Sequence, residues 1–149
     1  VGSEMCIRDR NLSDVIYLNS EDADITTEVS KAIEEAEKIV IGPSNPILSI
    51  GPILSLENLK EKLINDEATY IVSPFIQDKA IKGPSKKNFE DLGYKSDITG
   101  IKKFYDNVGN FYIVHNGDSD DAENTIETNI LFKSITDSIS LARYIVDHE

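Results

Sequence analysis

Three short apolar runs rich in β-branched residues most constrain the fold of this chain. They lie at residues 38–41, 68–72 and 111–114, and polar or turn-forming residues bound each of them. Runs of this kind are typical of buried strands. Between them lie stretches with apolar residues at helical spacing, such as residues 25–36. This alternation predicts a mainly parallel sheet with helices on both faces.

The other predicted elements continue the alternation. We expect helices at residues 57–64, 84–92, 97–105, 118–127 and 137–147, and further strands at residues 14–18 and 130–132. Gly51 and Pro52 interrupt the apolar stretch 47–54, so a helix there would be short or kinked. The predicted fold class is therefore α/β, a Rossmann-like, three-layer αβα arrangement.

Composition excludes several classes of protein. The chain has 149 residues, which is enough for one domain with a substantial core. Its formal net charge of −12 argues against a nucleic-acid partner and against attraction to an anionic membrane. The single cysteine, Cys6, allows no intrachain disulfide. Because the sequence shows neither a secretory signal nor a long apolar span, we expect a cytoplasmic location.

Residues 1–10 differ from the rest of the chain. They contain the only Cys, the only Met and two arginines, in a chain that otherwise prefers lysine. This segment resembles translated adapter sequence, and we expect a non-native or disordered tail. Residues 11–149 would then be the C-terminal portion of a single α/β domain, so we expect that domain to be incomplete.

The loop Gly42-Pro43-Ser44-Asn45-Pro46 follows the first predicted strand and is the first candidate site. Gly42 permits a ligand to approach the backbone closely, and Ser44 and Asn45 offer a hydroxyl and an amide to phosphate, sugar or base. The start of the next helix would add positive potential at the same sheet edge. Because these residue types are also the usual turn formers, composition alone slightly favours an ordinary strand-to-helix turn.

The second candidate is the loop at residues 73–84, which follows the second strand and so lies on the same sheet edge. Four lysines fall within nine residues there: Lys79, Lys82, Lys86 and Lys87. Such an excess of ammonium groups suits a polyanionic ligand. Lys86 and Lys87 are better explained as a solvated helix face, whereas Lys82, next to Gly83, is the better candidate for ligand contact.

The remaining candidates are weaker. The acidic run at residues 118–123 could offer oxygen ligands to a metal, but acidic residues at a helix N-terminus are the more ordinary explanation. His115 and His148 lie far apart without the spacing of a zinc site, and His115 is more often a structural residue in such a position. We therefore assign no metal ligand and no catalytic residue within the chain.

Two segments together resemble the 2-phospho-L-lactate transferase family, which acts in the biosynthesis of the deazaflavin coenzyme F-420. Residues 36–54 read Ala-Glu-Lys-Ile-Val-Ile-Gly-Pro-Ser-Asn-Pro-Ile-Leu-Ser-Ile-Gly-Pro-Ile-Leu, a long and specific match. Residues 79–84 read Lys-Ala-Ile-Lys-Gly-Pro and support it in the right order. Weaker similarity at residues 100–105 and 141–143 extends the resemblance over most of residues 14–149.

The resemblance implies a transferase that moves a phospholactyl group, or in bacterial relatives a phosphoenolpyruvyl group, from a GDP-linked donor to the terminal hydroxyl of the deazaflavin Fo. GMP would leave, a phosphodiester would form, and Mg²⁺ would assist. It also implies a homodimer for the full-length protein. The implied nucleotide- and phosphate-binding residues are Gly42, Pro43, Ser44, Asn45, Lys82 and Gly83, the last two across the same crevice.

The chain departs from the family pattern in two ways. Gln77 and Asp78 stand where the family usually has a Gly-Gly pair, which puts a close backbone approach there in doubt. The N-terminal Gly-rich phosphate loop of the family, and its acidic motif for the metal and Fo, would lie before Val1. We therefore expect that this chain alone cannot catalyse the reaction.

A non-catalytic regulator that binds nucleotide sugars is the main alternative. The related gluconeogenesis-factor proteins share the architecture but carry a Gly-Pro-Gly-Ser-type loop at the corresponding strand end. This chain has the sequence Gly-Pro-Ser-Asn-Pro at residues 42–46, which favours the transferase. A purely structural or dimerising half-domain is the third alternative.

Overall fold

The computed structural model describes residues 12–77, 79–80, 84–120 and 122–148. Its strands are β1 (Ile39–Ile41), β2 (Thr69–Val72), β3 (Phe75–Ile76), β4 (Lys79–Ala80), β5 (Phe111–Val114) and β6 (Thr125–Glu127). Four of them form a parallel sheet in the order β1-β2-β5-β6, and β3 and β4 form a small antiparallel hairpin. The predicted parallel sheet is confirmed, and the hairpin lies in what we predicted to be an irregular loop.

The described residues form six α-helices around the sheet. They are α1 (Thr27–Glu35), α2 (Gly51–Leu54), α3 (Glu57–Leu63), α4 (Ser85–Asp91), α5 (Ile98–Tyr105) and α6 (Ile135–Asp147). A π-helical turn, Pro46–Ile50, runs directly into α2. Proline fits the first positions of both segments because its missing N–H is not needed there. The short, interrupted helix predicted for this stretch is therefore confirmed.

Two separate cores cover the two faces of the sheet. On one face, Ile71 of β2 and Tyr112 of β5 pack with buried residues of α3, α4 and α5. On the other face, Tyr70 and Ile113 pack with α6, which buries Leu141. Both central strands are thus covered by helices on both sides, as expected of a parallel sheet. This is the predicted three-layer αβα arrangement.

The predicted helix at residues 118–127 and the predicted strand at residues 130–132 are wrong. The chain turns tightly after β5 and then enters β6 instead of a helix. Asp120 and Asn124 adopt left-handed backbone angles, with φ of 47° and 54°, which a right-handed helix cannot contain. The last strand of the sheet therefore lies nearer to β5 in sequence than the pattern indicated.

The predicted strand at residues 14–18 is also wrong. Residues 12–17 run without regular secondary structure along the helices that follow β1 and β2. The Tyr17 hydroxyl donates to the carbonyl oxygen of Ile47 at 2.6 Å, and the Leu12 N–H donates to Asp91 Oδ2 at 3.0 Å. Isolated hydrogen bonds of this kind, and not strand pairing, hold the segment in place.

Tyr105 provides a stability test of the core. Its side chain is 1% exposed, and its hydroxyl finds no hydrogen-bond partner within the described residues. Burial raises the pKa of this hydroxyl. Because a buried hydroxyl without a partner costs free energy, we expect Tyr105→Phe to be neutral or to stabilise the fold by up to about 1 kcal/mol. Urea unfolding monitored by circular dichroism measures this change.

Tyr70 is the matched control for this substitution. It is as buried as Tyr105, but its hydroxyl accepts from Lys38 Nζ at 3.0 Å and lies 2.9 Å from His148 Nδ1. Tyr70→Phe should therefore destabilise the fold by about 1 kcal/mol. If both substitutions lowered the free energy of unfolding equally, the Tyr105 hydroxyl would have to have a hydrogen-bond partner.

Candidate functional site

The loops that could form a site lie at one edge of the sheet. Since the strands are parallel, the segments that follow β1, β2 and β5 all emerge at the carboxyl edge. These segments are residues 42–45, 73–77 and 115–120. Neighbouring strands lie about 4.8 Å apart, so the ends of β1 and β5 are about 10 Å apart in the sheet. This edge therefore offers two neighbouring surfaces, one after β1 and one between β2 and β5.

The loop at residues 42–45 is compact, and Asn45 has a structural role in it. The Ser44 N–H donates to the Gly42 carbonyl oxygen at 2.8 Å. Asn45 Oδ1 accepts from the N–H groups of Ile47 and Leu48, at 3.0 and 3.1 Å, and so caps the π-helical turn. The side-chain amide nitrogen of Asn45 is thereby left as the group that can donate to a ligand.

Gly42 lies beside open space. A Cβ atom built on it would meet no heavy atom within 4 Å, and its backbone angles are not left-handed. The fold of the described residues therefore does not need glycine at this position. Pro43 and Ser44 are exposed next to it, so a ligand can reach the backbone and the Ser44 hydroxyl together.

The segment after this loop is held rigidly. Pro46 and Ile47 are buried, and the Tyr17 hydroxyl binds the carbonyl group of Ile47. Burial, with a smaller contribution from Tyr94, raises the pKa of Tyr17. A Cβ atom at Gly51 would collide with the Tyr17 hydroxyl, so glycine is needed there for Tyr17 to pack. The loop at residues 42–45 is thus anchored at its C-terminal end.

A second surface between β2 and β5 is a pocket of about 350 Å³. We call it the acidic pocket; the residues that line it are Ser73, Phe75, Gln77, Ser96, Asp97, Ile98, Val114, Gly117, Asp118 and Asp120. Phe75, Ile98 and Val114 are buried in the core and supply its apolar part. The remaining residues give it polar walls with three carboxyl groups.

The loop between β5 and β6 forms one wall of the acidic pocket and is tied down at both ends. The Ser119 N–H donates to Glu127 Oε1 at 3.1 Å, and hydrogen bonds from Ser119 and Gly117 lower the pKa of that carboxyl. At the other end, Lys102 of α5 donates to the carbonyl oxygen of Glu123. The pocket wall is therefore fixed to both β6 and α5.

The lysines of the second candidate loop divide into two groups. Lys86 and Lys87 form i,i+4 ion pairs along α4 with Glu90, at 3.5 Å, and Asp91, at 2.7 Å. Both lysines therefore lie on α4, partly exposed and ion-paired within that helix. Lys82, Gly83 and Asp78 lie outside the described residues. The role of Lys82 and Gly83 in the site stays a prediction.

Sequence comparison decides the family. The model of the family described as 2-phospho-L-lactate transferase CofD matches residues 1–136. The chain belongs to this family. The resemblance based on residues 36–54 and 79–84 is thereby confirmed, and the transferase family is favoured over the regulators that bind nucleotide sugars.

Individual members of the 2-phospho-L-lactate transferase family are similar over almost the whole chain. Proteins of that name from Methanocaldococcus jannaschii and Methanococcus vannielii are 36% and 38% identical to it over 143 residues, which is 93% of this chain. A third, from Methanococcus maripaludis, is 34% identical over 139 residues. The chain spans 46%, 45% and 45% of the length of these relatives, so it corresponds to less than half of each.

Gln77, where the family resemblance predicts a glycine, has a special backbone conformation. Its φ is 48°, in the left-handed region that favours glycine, and its N–H donates to Asp118 Oδ2 at 3.0 Å. Glycine adopts this conformation without strain. Gln77 instead places a side chain at the rim of the acidic pocket.

The acidic pocket is the part of the site that sequence reasoning missed. Asp118 and Asp120 were interpreted as part of a helix at residues 118–127, Asp97 was interpreted as the first residue of the predicted helix 97–105, and Ser96 was not assigned a role. The available signal was Asp97, whose Oδ1 caps α5 by accepting from the Gly100 N–H at 2.9 Å. Its proximity to Asp118 depends on how α5 packs against the sheet, which no local pattern encodes.

The described residues do not fit the Mg²⁺ ion that the family resemblance implies. Among them, no group of three or more His, Cys, Asp or Glu side chains comes close enough together to hold a metal. His115 instead accepts a long hydrogen bond at Nδ1 from the Ile130 N–H, at 3.4 Å. No reaction step through a metal follows from this part of the transferase fold. Within the same residues, we also find no helix with the length and apolar character needed to cross a membrane.

Proposed function

We propose that the protein containing this chain transfers a phospholactyl or phosphoenolpyruvyl group from a GDP-linked donor to the deazaflavin Fo, with release of GMP. Membership of the 2-phospho-L-lactate transferase family supports the reaction type. The observation that carries the site is the open loop at residues 42–45 on the carboxyl edge of a parallel sheet, where such folds bind nucleotides.

The loop geometry indicates which groups would hold the diphosphate. The N–H groups of Ile47 and Leu48 are already bound to Asn45 Oδ1, so they are not the donors. The Ser44 hydroxyl and the Asn45 side-chain amide are polar groups that a phosphate could reach beside Gly42. The Gly42 backbone would then lie against the ligand, with no Cβ in between.

The other partners are also part of the proposal. Lys82 and Gly83 would approach the phosphates from the loop after β2, and the full-length protein would be a homodimer. Mg²⁺ would stabilise charge on the leaving phosphate when bound, with ligands from outside the described residues. Catalytic residues are likewise not assigned to this chain, which supplies one wall of the donor site.

A pair of substitutions separates binding from folding at this loop. Gly42→Ala places a methyl group in the space where the ligand would lie, so GDP should bind about tenfold more weakly. The free energy of unfolding should stay equal or rise by up to about 1 kcal/mol, because the alanine restricts the unfolded chain. Asn45→Asp keeps the capping oxygen but replaces the amide donor by a negative charge. Because that charge repels phosphate, GDP should also bind this variant more weakly than it binds the unmodified chain.

GDP titration of the isotope-labelled chain, followed by NMR, tests these expectations. GDP should shift the amide signals of Gly42, Ser44 and Asn45, and both variants should weaken this response. Asn45→Ala, which loses the cap, should in addition destabilise the fold by about 1 kcal/mol. Wild-type GDP affinity in Gly42→Ala and Asn45→Asp would remove the loop from the nucleotide site.

A further inference from the structure

The terminal helix α6 carries a line of apolar residues that stays exposed among the described residues. Ile135, Ile139 and Val146 are 75%, 45% and 69% exposed, and Ala142 between them is exposed as well. Gaps of four, three and four residues place these side chains along one side of a helix, and the same spacing forms the seam between two packed helices. This line, which we call the α6 stripe, is therefore suited to a helical partner.

The α6 stripe lies on a flank of the helix and not on the side that packs against the sheet. The buried residues of α6 are Leu141 and Ile145. At about 100° per residue, the stripe lies about 110° around the helix axis from this pair. Helices that cover the same face of a sheet pack side by side, about 8–10 Å apart, and so meet through flanks at such an angle. The stripe is thus placed to contact a second helix in the same layer.

The α6 stripe faces β1. α6 begins near the carboxyl edge of the sheet, where the Ile130 N–H donates to His115, and ends at the amino edge, where Lys38 Nζ donates to the His148 carbonyl oxygen at 2.6 Å. It therefore runs antiparallel to the strands. The helices that connect β1 to β2 and β2 to β5 pack on the opposite face of the sheet, and such connections are right-handed. With this handedness, the flank that carries the stripe points towards β1 and away from β6.

The strand β1 is poorly covered on this same face. Val40 is paired with Tyr70 in the sheet and shares its face, while Ile39 and Ile41 pack against the core on the other side. Tyr70 has no exposed surface, whereas Val40 is 49% exposed. Parallel sheets are usually covered by helices on both faces. Val40 and the α6 stripe therefore form two walls of one open slot, with room for a helix beside α6.

We propose that a helix from the rest of the full-length protein fills this slot and packs against Val40 and the α6 stripe. The chain spans 46% and 45% of the relatives from Methanocaldococcus jannaschii and Methanococcus vannielii, so more than half of each relative has no counterpart in it. Polypeptide of that length is ample for a covering helix. The slot involves no nucleotide, so this contact is independent of the proposed function.

A second copy of the chain is the competing occupant, and the size of the slot argues against it. Stable interfaces between separate proteins bury about 800 Å² and about 20–30 residues on each partner. The slot offers five apolar residues, which are Val40 and the four of the α6 stripe. A helix of the same polypeptide needs less contact, because its tether keeps its effective concentration high and it loses little translational freedom on docking.

Single cysteines in the two walls test the contact. Ile139→Cys and Val40→Cys each place a thiol in the slot, and both positions are already partly exposed. Ser140→Cys is the matched control, because Ser140 is exposed on the other flank of α6. The rate of alkylation by iodoacetamide is measured in this chain and in the full-length protein, by mass spectrometry of the peptide that carries each thiol.

We expect both wall thiols to react at least about tenfold more slowly in the full-length protein than in this chain, because a covered thiol is inaccessible to the reagent. Ser140→Cys should react at about the same rate in both proteins. A charge in the slot gives a second readout. Ile139→Asp should lower the urea midpoint of the full-length protein and leave that of this chain unchanged, whereas Ser140→Asp should change neither.

Equal alkylation rates in the two proteins at either wall would overturn the proposed contact. Protection that appears only at high protein concentration would overturn it as well, and would assign the slot to a second copy. The result is separate from that of the GDP titration. Loss of the GDP response at residues 42–45 leaves the rates in the slot unaffected, and an uncovered slot leaves the proposed nucleotide site in place.

Discussion

Replacing Gly100 by alanine is expected to destabilise this chain by about 3 kcal/mol, although alanine is the better helix former. Gly100 is buried in the first turn of α5. A Cβ atom there would collide with the carbonyl oxygen of Lys95 and lie 2.7 Å from the Lys95 carbonyl carbon. Because the obstacle is backbone, no side-chain rotation can relieve it. Urea unfolding measures the loss as a lower midpoint.

Gly42→Ala is the internal control for this prediction. The same methyl group is added in a place where no heavy atom lies within 4 Å, so the free energy of unfolding should not fall. The contrast isolates the collision with Lys95 from any general effect of alanine. If Gly100→Ala were as stable as the unmodified chain, the connection between α4 and α5 would have to be looser than described.

The consequence of Gly100→Ala should extend to the acidic pocket. Ser96 and Asp97 lie between Lys95 and Gly100, and both line that pocket. Any shift of the chain that accommodates the methyl group must move them or break the hydrogen bond from the Gly100 N–H to Asp97. We therefore expect the folded fraction of this variant to show altered amide signals at Ser96 and Asp97.

The fold was largely predictable because its central strands are buried on both faces. All four residues of β2 are buried, so its sequence is a continuous apolar run that local pattern analysis recognises. β6 is different, since Thr125, Ile126 and Glu127 are partly buried, buried and exposed. Three such residues are too few to show the alternation of apolar and polar residues that indicates a strand. The acidic stretch before them favoured a helix on composition alone.

The candidate site was predictable in position more than in detail. The loop at residues 42–45 lies at the carboxyl edge of the sheet, as its place after a strand predicted. That Asn45 uses its oxygen as a helix cap could not be derived, because the sequence does not show where the turn after Pro46 begins. The pairing of Gln77 with Asp118 joins residues 41 positions apart and needs the folded sheet to form.

Phe89→Ala is the second substitution with a large expected effect, about 3–5 kcal/mol of destabilisation. Phe89 has no exposed surface, and its ring centre lies 5.3 Å from that of Phe75, 4.9 Å from Tyr94 and 5.6 Å from Phe104. Truncation would leave a cavity between α4, α5 and the hairpin that follows β2. Such a loss is a large share of the 5–15 kcal/mol by which native domains are typically stable.

Phe132→Ala is the matched control for Phe89→Ala, since the same atoms are removed from a side chain that is 46% exposed. It should cost about 1 kcal/mol or less, because little apolar surface is lost from the core. Urea unfolding of both variants gives the comparison directly. Since Phe75 also lines the acidic pocket, Phe89→Ala should shift the amide signals of the pocket, whereas Phe132→Ala should not. Equal losses of stability in the two variants would contradict the packing of α4 against the sheet, and with it the support that this packing gives to the site.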